Sequence, residues 1–241
     1  MLHQISGPAR RSTGRFCIAL CFFLLASEPA WAQVGSASVS GSVKVLRKGG
    51  GGQHESFANA VVWLSGPLGE PFQSPVIVNQ LKKKFRPRVL PVMKGQVVHF
   101  TNQDKIEHNV FTRDSRQPFD LGRYPKGEYR SVKFDSLGII KVYCDIHKAM
   151  ILDVLVVDSP YFAVTDDDGV FSIQGAPSGT QKLNIWHIYG GRHTREITVT
   201  DGPLVLEPIT ITSTKVTRDI EEHKNKKGRA YRKKFYDGRR R

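Results

Sequence analysis

The sequence predicts an all-β protein made of two β-sandwiches followed by a disordered basic C-terminal tail. Three observations lead there: short alternating or β-branched runs recur along the body, turn signals separate them, and no long stretch carries helical periodicity. With 241 residues, 39% hydrophobic and 24% charged, the composition is globular, and the chain is long enough for one or two domains with real cores. A formal charge of +14 raises nucleic acid, a membrane surface or an acidic partner as candidates. Three cysteines are too few for a disulfide scaffold.

The first element is an export signal. Arg10, Arg11 and Arg15 precede an apolar run at 16–26, and Ala30-Trp31-Ala32 forms a small-x-small motif that predicts cleavage before Gln33. Residues 1–32 are therefore expected to be removed and the mature protein to be periplasmic or secreted. The apolar run is too short to span a bilayer, which weighs against the competing reading of a retained anchor. The residues after Arg10-Arg11 match a twin-arginine signal poorly, and Cys21 lacks the small residue that lipid attachment needs, so the general route is expected. Cleavage takes Cys17 and Cys21 with it and leaves Cys144 as the sole cysteine of the mature chain. In an exported protein such a residue is paired between chains, kept as a reactive thiol, or bound to metal as thiolate.

The body, 33–212, carries a charge of +4 and reads as strands at 37–46, 60–64, 76–80, 96–101, 131–134, 138–143, 151–157, 170–173, 182–186, 195–200 and 206–211. Turn signals fall between them at 49–52, Ser65-Gly66-Pro67, Ser159-Pro160, Asp168-Gly169, Pro177-Ser178-Gly179 and Asp201-Gly202-Pro203.

Chemistry concentrates between Lys84 and Val157. His108 lies in Glu107-His108-Asn109-Val110-Phe111; Cys144, His147 and Met150 follow in Cys144-Asp145-Ile146-His147-Lys148-Ala149-Met150. A thiolate, two imidazoles and a thioether are the ligand set of a type 1 (blue) copper site, one copper per chain. Cys144 ends a strand and the next strand begins near Ile151, so one short loop aims Cys144, His147 and Met150 at a point that His108 reaches from a distant strand. Alone, His108 reads as a packed or exposed histidine and Met150 as a core residue; together they favour copper. Zinc is the best metal alternative, but thioether suits copper better and no fourth hard ligand is apparent.

These segments resemble a cupredoxin of the plastocyanin/amicyanin kind. Phe85-x-Pro87, the Val92-x-x-Gly95-x-x-Val98-x-Phe100-x-Asn102 strand and His108-Asn109-Val110 resemble its first half, and Gly138 with Val142-Tyr143-Cys144 its second. Cys144-x₂-His147-x₂-Met150 is the shorter, amicyanin-like loop, without amicyanin's prolines; the chain looks closest to the plastocyanin-like proteins labelled as methylamine-utilisation proteins. The resemblance implies a Greek-key sandwich over 73–158. It also implies that Asn109 ties the two ligand loops together near the thiolate, where an ordinary turn Asn is the competing reading. His147 is expected to turn a ring edge to the surface, beside Lys148, which would favour an acidic partner.

Residues 161–173, with Ala176-Pro177-Ser178-Gly179-Thr180 and Leu183-Asn184-Ile185-Trp186, resemble the carboxypeptidase regulatory-like (transthyretin-like, Ig-like) β-domain. Its opening strands are expected in 33–72, at Val39-Ser40-Gly41-Ser42-Val43 and Asn59-Ala60-Val61-Val62-Trp63-Leu64, and its remainder in 159–212. The cupredoxin would then be inserted into this second sandwich; a linear order, with 33–72 extending the cupredoxin, is the alternative. Asp166-Asp167-Asp168-Gly169 lacks the alternating carboxylates of a calcium loop and is read as a hairpin turn. His99, His187 and His193 have no ligand-like partners in sequence and are read as structural.

From Ser213 the tail carries 12 Lys+Arg against 4 Asp+Glu. Such a segment cannot bury enough apolar area to fold alone. Tyr231, Phe235 and Tyr236 among the cations admit nucleic acid, but export favours an anionic surface or an acidic redox partner, and a solvated tail with no partner competes with both. The function expected is a non-enzymatic, single-electron carrier between a redox donor and acceptor. The alternative is a copper-binding or attachment module without a redox circuit. Oxidase or nitrite reductase chemistry is not expected, since its further copper centres need additional histidines and no His-x-His pair occurs.

Overall fold

Strand formation follows from where apolar side chains can be buried on one face or two. The structure is a computed structural model and describes residues 37–46, 58–66, 69–70, 72–213 and 224–231; the expected export signal and most of the basic tail lie outside these residues. Among the described residues all the regular elements are strands: β1 (Ser38–Leu46), β2 (Val61–Leu64), β3 (Val76–Gln80), β4 (Phe85–Arg86), β5 (Val89–Met93), β6 (Gln96–Asn102), β7 (His108–Thr112), β8 (Asp120–Tyr124), β9 (Tyr129–Phe134), β10 (Gly138–Tyr143), β11 (Ile151–Val157), β12 (Phe162–Val164), β13 (Val170–Gln174), β14 (Gly179–His187), β15 (Gly191–Val199), β16 (Pro203–Val205) and β17 (Ile209–Thr212). The all-β class predicted from the sequence is the class of the structure.

Strands β3–β11 make two sheets, β4-β3-β6-β9 and β5-β11-β10-β7-β8. Between them lies a core of Val78, Leu90, Val98, Phe100, Val110, Phe134, Ile140, Leu152 and Val154, to which Cys144 and Met150 also belong. The remaining strands make the second sandwich. One sheet runs β12-β2-β14-β15; in the other, β13, β16 and β17 all pair with β1. Its core includes Val39, Val43, Val62, Phe171, Leu183, Ile185, Val199 and Ile211. Thus β1 and β2, which precede the first sandwich in sequence, share sheets with strands that follow it.

The two sandwiches meet face to face. Val61 and Trp63 of β2 pack with Val89 of β5 and with Leu155 and Val157 of β11, flanked by Ile139, Phe162 and Trp186. This contact explains the unbroken apolar runs of β2 and β5 and the almost unbroken run of β11: each is buried on both faces, so alternation is lost. The one charge in β11, Asp153, is fully buried and bonded to Arg88 and Lys141.

Four differences from the sequence reading have physical reasons. Strand β5 contains Pro91, which argues against a strand; β5 lies at a sheet edge and pairs only with β11, where a missing N–H is tolerated. Strands β7 and β8, HNVFT and DLGRY, lack alternation because β7 is buried along its whole length and β8 is mostly exposed or half-buried, with Gly122 at φ +67°. The run expected at 206–211 is a strand only from Ile209, as β17, while β16 precedes it and begins at Pro203, which was read as part of a turn; both pair in parallel with successive parts of β1. The Asp166–Gly169 segment is a tight turn, with Asp166 Oδ1 accepting from the Asp168 and Val170 amides and Gly169 at φ +81°. It carries the chain between two sheets and is not a hairpin within one, since β12 pairs with β2 and β13 with β1.

Candidate metal centre

The antiparallel β7–β10 pairing sets His108, the first residue of β7, near the end of β10 where Cys144 follows. The loop after Cys144 turns back tightly: the Met150 amide donates to the His147 carbonyl at 3.0 Å and the Cys144 amide to the Met150 carbonyl at 3.3 Å. These contacts turn the three-residue spacings into convergence. His108 Nδ1 and His147 Nδ1 lie 3.1 Å apart, and Cys144 Sγ lies 3.9 and 3.7 Å from them. All three donor atoms fall within 4.8 Å of one another. Donors about 2 Å from a shared ion are separated by roughly such distances. Met150 is fully buried in the same core as Cys144, and His147 is partly exposed.

The donor chemistry fits copper. Two imidazole nitrogens and a sulfur converge from the apolar end of a sandwich, a thioether-bearing residue closes the loop, and among the described residues the cluster contains no carboxylate. Burial pushes the Cys144 thiol pKa up; the Ile146, Asn109 and His147 amides oppose this, and the Asp145 charge reinforces it. A cation bound among these donors would favour the thiolate.

The surroundings hold the donors in place. Asn109 Oδ1 accepts from the Asp145 amide at 2.5 Å, joining the His108 strand to the Cys144 loop. Asn109 Nδ2 donates to Asp120 Oδ1 at 3.3 Å.

Sequence reasoning missed Asp104. Its Oδ2 lies 2.8 Å from His108 Nε2, an arrangement that keeps a proton on Nε2 and leaves Nδ1 free to ligate. Asp104 is itself held by the Lys82 and Lys83 amides at 2.7 and 2.8 Å; both lysines adopt left-handed conformations, at φ 53° and 56°, in the turn between β3 and β4. Burial would raise the Asp104 carboxyl, but the Lys83 amide, the His108 ring and the Lys82 amide hold it below the usual carboxylate range. The available signal was an Asn-x-Asp turn four residues before a candidate ligand, with the Asp104 amide donating to Asn102 Oδ1.

Tyr231 and Lys226 of the tail were also missed as neighbours of this site. Tyr231 Oη donates to the Cys144 carbonyl at 2.5 Å, and Lys226 meets Asp145 and Asp120. Burial, with the nearby Cys144 and Asp145 charges, raises the Tyr231 phenol pKa. Among the described residues, three further histidines lie outside the cluster: His99 stacks on Tyr129, His187 accepts from the Tyr189 amide, and His193 contacts the Gly190 carbonyl.

No protein-family model matches this chain, and no curated protein matches it. Similar solved structures include a reduced amicyanin mutant, 21% identical, with 39% of this chain and 97% of that one covered at a TM-score of 0.33. A purple cupredoxin from Nitrosopumilus maritimus is 22% identical over 34% of this chain and 98% of its own, at 0.31. A copper-containing nitrite reductase from Thermus scotoductus is 22% identical over 46% of this chain and 28% of its own, at 0.33.

Proposed function

We propose that the protein is an exported cupredoxin that carries single electrons between partner proteins, and that His108, Cys144, His147 and Met150 would hold one type 1 copper. The convergence of two Nδ1 atoms and one thiol sulfur at the end of a β-sandwich carries this reading. A bound copper would supply one-electron redox chemistry. The chain supplies the rest: Asp104 fixes the His108 ring, Asn109 locks the two ligand segments together, and the surrounding apolar core excludes water. A framework held from several sides changes little between oxidation states, and partly exposed His147 offers the route to a partner.

On this reading 73–158 is the copper-bearing unit and 33–72 with 159–212 its host. The partners are a redox donor and acceptor in the periplasm or outside the cell, and the tail meets an acidic partner or an anionic surface. The role is electron transfer, with no substrate turned over.

The test is optical. Cu²⁺ added to the mature protein is expected to give an intense visible thiolate-to-copper band with narrow hyperfine splitting, and Cys144→Ser to abolish it. No band in the wild-type protein, or a band that persists in Cys144→Ser, overturns the proposal.

A further inference from the structure

A run of lysines and arginines ordinarily lies in solvent with no fixed partner. Residues 224–231 do not. They fold into a turn in which Asn225 Oδ1 accepts from the Lys227 and Arg229 amides, each at 3.0 Å. The Gly228 amide donates to the Asn225 carbonyl, and the Asn225 amide to the Arg229 carbonyl, each at 2.9 Å. Gly228 adopts φ +74°, a conformation that suits glycine.

This turn aims its side chains at the metal centre. The Lys226 amide donates to Asp145 Oδ1 at 2.9 Å, and Lys226 Nζ donates to Asp120 Oδ2 at 2.8 Å. Tyr231 Oη donates to the carbonyl of Cys144 itself. Asp120 and Asp145 are the two residues that Asn109 joins, so the tail grips both sides of the link between the ligand segments. An exposed lysine–carboxylate pair alone would be a weak fastening. Here it acts with a backbone amide and a phenol, and all three point the same way.

We infer that residues 224–231 form a strap that fastens the Cys144–Met150 loop, and that Tyr231 and Lys226 are positioning residues for the metal centre. The inference deepens the copper reading and rests on it for its effect on the metal. The strap donates a phenolic proton to the Cys144 carbonyl and sets a cationic side chain beside Asp120, so it offsets negative charge around the sulfur donor. A less negative surround favours the reduced state of a bound copper.

Hydrogen exchange in the full mature chain tests the strap without metal. In Tyr231→Phe, the amides of 144–150 are expected to exchange about fivefold faster, the effect of one lost hydrogen bond, while those of 179–199 stay unchanged. Lys226→Ala is expected to act in the same direction and Lys226→Arg to retain protection, since either cation reaches Asp120. After copper loading, Tyr231→Phe is expected to shift the visible band and lower the reduction potential. Wild-type exchange of 144–150 in the Tyr231→Phe/Lys226→Ala double variant overturns the strap, and an unchanged band and potential overturn its positioning role. If wild-type protein gives no thiolate band, the copper reading fails while the exchange comparison still decides the strap.

Discussion

Asp104 shows how a residue outside the donor cluster governs one of its histidines. Its carboxylate spans from the His108 ring to two lysine amides in left-handed conformations, so the turn between β3 and β4 sets the orientation of a histidine at the start of β7. Asp104→Ala is expected to weaken copper binding ten- to a hundredfold, measured by competition with a chelator of known affinity. Unchanged affinity would assign Asp104 to the turn alone. The cluster of His108, Cys144 and His147 was legible in the sequence, because Cys144, His147 and Met150 fall within seven residues and Cys144 alone outlasts the expected cleavage. Asp104 was not, because its role depends on a backbone shape that no spacing encodes. Tyr231 was hidden more deeply, 87 residues from Cys144 and inside a charge run.

Single elements were legible where one face is wet and obscure where both are covered or a function intrudes. Strand β6 alternates buried with partly exposed residues and follows its sequence alternation, whereas β7 is buried throughout and starts with His108. Strand β8 contributes little apolar area but ends in Tyr124, which ties the two sheets of its sandwich together. Gln80 Nε2 of β3 donates to the Tyr124 hydroxyl at 2.6 Å, and the hydroxyl donates to the Phe100 carbonyl of β6 at 3.0 Å, all of it buried. Tyr124→Phe removes this bridge and leaves buried polar groups without their partner. A loss of about 1–3 kcal/mol is expected in denaturant unfolding. A wild-type midpoint with an unchanged slope would show that water replaces the hydroxyl at no cost.

At the scale of the whole molecule, the sandwiches are joined by an apolar interface with Trp63 within it. The indole is buried and Arg192 lies over its ring, 5.1 Å from the centroid. Trp63→Ala is expected to lower stability by about 3–5 kcal/mol. Because the side chain belongs to one sandwich and packs on the other, the visible copper band and the far-ultraviolet signal should melt together at a lower temperature. A band that keeps its wild-type midpoint while the remaining signal shifts would mean that the sandwiches unfold independently. Two sandwiches were legible from the turn signals, but their face-to-face packing was not: an unbroken apolar strand looks the same whether a helix, a sheet or another domain covers it.

The register of β2 and β12 also bears on the order of assembly. Trp63 and Phe162 are ladder partners, so the chain departs from the host sandwich and returns to it at neighbouring points, with 98 residues between. Joining such distant points in an unfolded chain carries a closure entropy of about 4 kcal/mol. Once the intervening sandwich has collapsed, its own ends lie close together and most of that penalty is gone. Strand β1 is the first of these strands to be synthesised, yet its partners β13, β16 and β17 are among the last. By this entropy argument the sandwich of β3–β11 is expected to fold before the one whose strands bracket it in sequence, bringing His108, Cys144 and His147 together first.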